Sequence, residues 1–181
     1  MDKVFGVGLP KTGTKTLKYA LMELGYDKPK KCKQKYTQLY DEGKFGKLHS
    51  IANKANNVSD SPWWLMYKKL HHWFPDSHFI LTVRKTPDAW YKSVIKHITT
   101  RGMSALNFKN VFDMDINNID EKKLKAIYNN HNTEVREYFK GNRNFIEVCW
   151  EQDDGWYELC PFLDAPVPKK DFPWKNNSSK K

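Results

Sequence analysis

Residues 4–24 constrain this chain more than any other stretch. Val4-Phe5-Gly6-Val7-Gly8-Leu9 is a short apolar run carrying two glycines, the pattern of a strand buried on both faces. From Thr14 the period changes, and Leu17, Leu21 and Leu24 recur on one side of a helix. The turn between them is Pro10-Lys11-Thr12-Gly13. A strand that passes so directly into a helix aims the helix's first amide N–H groups, which have no partner within the helix, beyond the strand end. Those amides, the positive end of the helix dipole and the ammonium of Lys11 or Lys15 predict a site for a multiply charged anion.

The same alternation continues along the chain. Apolar runs predict strands over 3–9, 57–59, 78–83 and 144–149, and helical spacing predicts helices over 14–24, 62–74, 87–98, 120–139 and 155–163, several opening on proline or an acid. Alternation of this kind implies an α/β fold of three layers, with a central parallel sheet covered on both faces. Segments 28–57 and 99–119 are lysine- or asparagine-rich and too long for plain connectors, so they are the expected source of a substrate lip. A length of 181 residues suits one domain over 1–174, followed by a polar tail over 175–181.

The turn after the first strand is not a Walker A loop. Gly8 and Gly13 have the right separation, but Thr14 intervenes before Lys15-Thr16, and the G-x-x-x-x-G-K-[ST] pattern fails by one residue. Pro10-Lys11-Thr12-Gly13-Thr14 instead resembles the 5′-phosphosulfate loop of the sulfotransferases. Two further segments carry the resemblance. Phe79-Ile80-Leu81-Thr82-Val83-Arg84 runs from an apolar strand into an arginine, then into a Pro87-initiated helix bearing Ser93. Near the end, Gly155-Trp156, Leu159-Cys160, Phe162-Leu163, Pro166-Val167-Pro168 and Phe172-Pro173 are similar to the ending of a broad subgroup of that family. Asp60-Ser61-Pro62 and Trp73-Phe74-Pro75-Asp76 fit the same subgroup.

The resemblance implies a P-loop-type fold and an enzyme that moves a sulfuryl group from 3′-phosphoadenosine 5′-phosphosulfate (PAPS) to a hydroxyl or amine, leaving adenosine 3′,5′-bisphosphate (PAP). It assigns Lys11 to the oxygen bridging sulfur and the 5′-phosphate. The amides of Thr12, Gly13, Thr14, Lys15 and Thr16, with the hydroxyls of Thr14 and Thr16, are assigned to the 5′-phosphate. Arg84 and Ser93 are assigned to the 3′-phosphate; a guanidinium fork matches phosphate geometry. Ser93 stands nine residues beyond Arg84, one further than in many cytosolic members. The charge of Lys15 either adds to donor binding or faces solvent.

Asp60, at a predicted strand end, is the candidate general base; equally, Asp60 or Ser61 could cap the helix expected at Pro62. His49, His71 and His72 are the other candidate bases. The adjacent pair His71-His72 would face apart on a helix and lacks a third ligand, so no metal is expected. The seven tryptophans, at 63, 64, 73, 90, 150, 156 and 174, are expected mainly in the core, with a platform for adenine unassigned. Lys169 and Lys170 could either close over the 3′-phosphate or be solvated.

A formal charge of +10 suits a polyanionic nucleotide, though a solvated lysine-rich surface gives the same number. No nucleic-acid motif accompanies the charge, and no nucleic-acid partner is expected. No signal sequence or membrane anchor is visible, and Cys32, Cys149 and Cys160 have no metal-like spacing. These features predict reduced thiols and a cytoplasmic protein. The competing readings are a nucleoside or small-molecule kinase, against which stand the broken Walker A and a later strand ending in arginine, and a non-catalytic anion-binding module.

Overall fold

The computed structural model describes residues 2–28, 33–102, 105–152 and 155–174. Four parallel strands, β1 (Val4–Gly6), β2 (Asn57–Val58), β3 (His78–Thr82) and β4 (Phe145–Val148), form one sheet in the order β2-β1-β3-β4. Phe5 is level with Val58 and with Phe79, and Phe79 with Phe145. All four lie within the predicted runs, but each is shorter. Val7 still donates to the Ile80 carbonyl at 2.9 Å, after which the chain leaves the ladder at Gly8.

Alternation along the strands feeds two apolar layers. Phe5, Val7, Phe79, Leu81 and Val83 pack with Leu48 and Ala52 of α3 (Phe45–Asn53), Tyr67 and Leu70 of α4 (Tyr67–Trp73), and Val135 of α7 (Glu121–Tyr138). On the opposite face Val4, Ile80 and Val148 meet Leu17, Ala20 and Leu21 of α1 (Thr14–Glu23) and Leu159 and Cys160 of α8 (Trp156–Phe162). The two-residue period of a strand thus produces the three layers expected.

The excursions resolve into helices. Segment 28–57 contains α2 (Lys33–Asp41) and α3; segment 99–119 contains the end of α5 (Pro87–Arg101) and α6 (Ala105–Phe112). Lys3 fastens α3 to the sheet, since its ammonium donates to the carbonyls of Ala52 at 2.9 Å, Asn53 at 3.2 Å and Ala55. A cation there meets the negative end of the helix dipole, and partial burial lowers the lysine pKa. The helix predicted over 62–74 opens instead as a 3-10 turn, Trp63–Met66: Trp63 and Leu65 donate three residues back, to Asp60 and Pro62.

A third apolar cluster lies past the carboxyl ends of the strands. Leu9, Trp64 and Trp90 follow β1, β2 and β3 respectively and pack with Val94, Phe108, Phe112, Leu124 and Tyr128. It sets α5, α6 and the first half of α7 beside the strand ends. Cys149 and Cys160 are buried; Cys32 and the tail over 175–181 lie outside the described residues. Among the described residues no helix is long and apolar enough to cross a membrane, and no group of three or more metal-binding side chains is gathered.

Candidate active site

The turn after β1 owes its shape to main-chain geometry. Lys11 and Gly13 both have left-handed backbone, at φ 75° and 100°. For lysine this conformation is sparsely populated, the kind of strain that functional loops retain. Gly13 cannot carry a side chain for a second reason: a Cβ there would lie 2.3 Å from the Trp150 ring, whose Nε1 donates to the Gly13 carbonyl at 3.2 Å. Gly8 is equally constrained, because its Cβ would fall 2.5 Å from the Thr82 carbonyl oxygen. Thr12 is fully buried, and its hydroxyl donates to the Leu9 carbonyl at 2.7 Å. With that single proton committed, the Thr82 hydroxyl is the donor in the 2.7 Å contact between the two threonines. Both donors of Thr12 therefore brace the turn, since its amide also reaches the Leu9 carbonyl, at 3.4 Å.

No side chain caps the start of α1, where Gly13 holds the N-cap position. Its first-turn amides are the donors an anion would use. Thr14 and Thr16 are buried in that turn, whereas Lys15 projects outward and is exposed.

Asp60 meets this loop. Thr14 Oγ1 donates to Asp60 Oδ1 at 3.0 Å, joining residues 46 apart in sequence. Asp60 has a left-handed backbone, φ 69°, and no side chain caps the 3-10 turn that follows. Ser61 Oγ accepts from Trp64 Nε1 at 3.1 Å. The capping role weighed for Asp60 and Ser61 is thus not what their side chains do. His71 is held by the Tyr138 hydroxyl at 3.1 Å and by Asn142 at 3.3 Å, and packs edge-on to Phe79 at the beginning of β3. His49 stacks on Phe74, which in turn touches Phe5. Both histidines therefore lie toward the amino ends of the strands, away from the loop.

Arg84 lies just beyond β3, held at both main chain and side chain. The Tyr128 hydroxyl donates to its carbonyl at 3.0 Å and accepts from its amide at 2.9 Å. Burial is the main cause of the raised Tyr128 pKa. Arg84 Nη2 lies 2.5 Å from Glu151 Oε1, while Glu151 Oε2 accepts from the Lys85 amide at 2.9 Å. Arg84 Nε is buried and has no hydrogen-bond partner among the described residues. The next helix begins cleanly, because Thr86 Oγ1 accepts from the Ala89 amide and Pro87 occupies the first turn. Trp90 Nε1 donates to the Pro10 carbonyl at 2.9 Å, so α5 rests on the loop after β1. Ser93 follows Trp90 by three residues, on the same side of α5.

Several residues that shape the site had no local sequence signal. Tyr128, Glu151 and His131 arrive from distant segments, and Trp150 was visible only as one of seven tryptophans. His131 Nε2 faces the Val7 carbonyl at 2.9 Å and must carry the proton there. Its ring lies edge-on to Trp64, and burial lowers its pKa despite that carbonyl. Lys170 pairs with Glu23, the last residue of α1, at 2.7 Å. Ten helical residues, about 14 Å of rise, separate that exposed ion pair from the loop after β1.

Comparison with known proteins supplies the family. Residues 3–115 and 99–181 match the family model described as "Sulfotransferase domain", so the chain belongs to the sulfotransferase family. It is also 26% identical, over 94% of its own length and 79% of the relative's, to "Ava biosynthesis cluster protein M" of Aspergillus versicolor.

Proposed function

We propose that this protein is a PAPS-dependent sulfotransferase that transfers a sulfuryl group to a hydroxyl or amine of an acceptor. The observation that supports this most is the convergence of three unlike groups past the carboxyl ends of adjacent strands. An amide-rich loop follows β1, a carboxylate follows β2, and a guanidinium follows β3. Ligands of open parallel sheets gather at that edge. The residues present suit a donor with phosphates at two positions, since the uncapped start of α1 and the orphaned Arg84 Nε are two separate sets of anion-seeking N–H groups.

Bound there, the donor would supply a sulfur centre open to in-line attack, with charge building on the oxygen that leaves with the 5′-phosphate. Lys11 stabilises that oxygen, and the amides of Gly13, Thr14, Lys15 and Thr16 hold the phosphate beside it. Such preorganised donors act chiefly on charge that develops during reaction. Asp60 accepts the proton of the attacking hydroxyl or amine. Its hydrogen bond from Thr14 holds that base one residue from the loop glycine. Arg84, with Ser93 from α5, reads the 3′-phosphate. The buried thiols of Cys149 and Cys160 support a reducing, cytoplasm-like setting.

Calorimetric titration with PAP, beside ATP and magnesium, tests the reading. Tight, magnesium-independent binding of PAP with little for ATP is expected. Preference for ATP with magnesium would replace this proposal with the kinase alternative.

A further inference from the structure

Glu151 stands opposite Arg84 and has no role in the chemistry above. We propose that Glu151 is the positioning residue of the 3′-phosphate subsite, holding the Arg84 guanidinium in the orientation that distinguishes a 3′-phosphorylated nucleotide from one without that phosphate. The inference rests on the donor reading just given.

A carboxylate beside an anion-binding arginine could in principle act as a competitor. The contacts favour an anchor. Glu151 uses one oxygen on Nη2 and commits the other to the Lys85 amide, part of the β3–α5 turn, so the carboxylate is tied to the main chain and does not swing with the arginine. It is fixed from behind as well: Glu151 belongs to the 3-10 turn Trp150–Gln152, and Trp150 packs against Gly13. A guanidinium has five N–H donors in one plane, and a single oxygen on Nη2 leaves other donors of the fork for other acceptors. Arg84 Nε is a buried donor with no partner among the described residues, so the single Glu151 oxygen does not use up the fork. Glu151 therefore fixes the plane of the fork while leaving part of it for phosphate. The ion pair is about three-quarters buried on both sides, with side-chain exposures of 20% and 26%, so solvent screens it less than an exposed pair.

The test compares binding of PAP and AMP, which differ only in the 3′-phosphate, to the wild-type protein and to Glu151→Gln, Glu151→Asp, Arg84→Ala and Arg84→Ala/Glu151→Gln. Glu151→Gln preserves size and is expected to weaken PAP about tenfold while changing AMP less than about twofold. Glu151→Asp, which keeps the charge, should recover part of the preference. In the Arg84→Ala background Glu151→Gln should cost nothing further. Tighter PAP binding by Glu151→Gln, or equal losses for PAP and AMP, would overturn the proposal. A wild-type protein that does not prefer PAP to AMP would overturn the donor reading itself. A preference present in the wild type and untouched by Glu151→Gln would overturn only the role of Glu151.

Discussion

The loop after β1 and the turn after β3, the two proposed anion subsites, are built in opposite ways. The first is made by main chain: left-handed Lys11 and Gly13, a glycine pressed against Thr82, and a helix start without a cap. The second is made by side chains from far along the chain, Tyr128 on the Arg84 main chain and Glu151 on its guanidinium. A subsite made of backbone is encoded within a handful of consecutive residues. A subsite made of side chains is encoded in pairs that only the fold brings together.

If this distinction is right, changes in the loop should separate chemistry from stability, and changes at the turn should mix them. The largest effect is expected for Lys11→Ala, which should lower turnover of PAPS by about 10²–10³-fold, measured with the best acceptor from a panel of phenols, alcohols and amines. Melting should change little, because the loop is shaped by its main chain; a large fall in melting temperature would break the comparison. Gly8→Ala tests the main-chain half directly. With Thr82 backbone atoms within 2.5–2.8 Å of the new Cβ, it should cost about 3 kcal/mol in denaturant unfolding.

Tyr128→Phe comes next. It strips a hydroxyl that serves both the amide and the carbonyl of Arg84, and leaving these groups unpaired should cost about 2 kcal/mol. Unlike Lys11→Ala, it should also erode the preference for PAP over AMP, since the turn carrying Arg84 loses its brace. Retained preference would show that the turn holds its own shape.

The smallest effect concerns pH. Burial depresses the His131 pKa in the folded protein below its ordinary 6.5, so the unfolded chain takes up a proton first as pH falls. The stabilisation from neutral His131 is complete well above pH 6.5 and declines as pH drops through that value toward the folded pKa. Melting temperature should therefore fall between pH 7.5 and 5.5, and His131→Gln should flatten that slope. An unchanged slope would remove His131 as its source.

These contrasts explain what the amino-acid sequence disclosed. Lys11, Gly13 and Thr14 were legible because strand, turn and helix succeed one another within about twenty residues, and the period changes where the turn falls. The four strands were legible because burial on both faces demands uninterrupted apolar runs. Residues 28–57 and 99–119 were not, because α2 and α3 carry their apolar residues among many lysines, and only packing against the sheet selects their buried side. Asp60 was visible as a candidate, but its link to Thr14 spans 46 residues. Glu151 read as one acid among many until Arg84 stood opposite it.

One helix undercuts the independence of the two subsites. Tyr128 and His131 lie a single turn apart on α7, the first holding Arg84 beyond β3 and the second holding Val7 at the end of β1. Lifting that stretch of α7 from the sheet releases both at once. In the language of hydrogen exchange the two are expected to open as one foldon: the free energy that opens the guanidinium's turn would also open the foot of the loop after β1. A nucleotide seated at either end would slow amide exchange at the other, with no movement of the backbone between them.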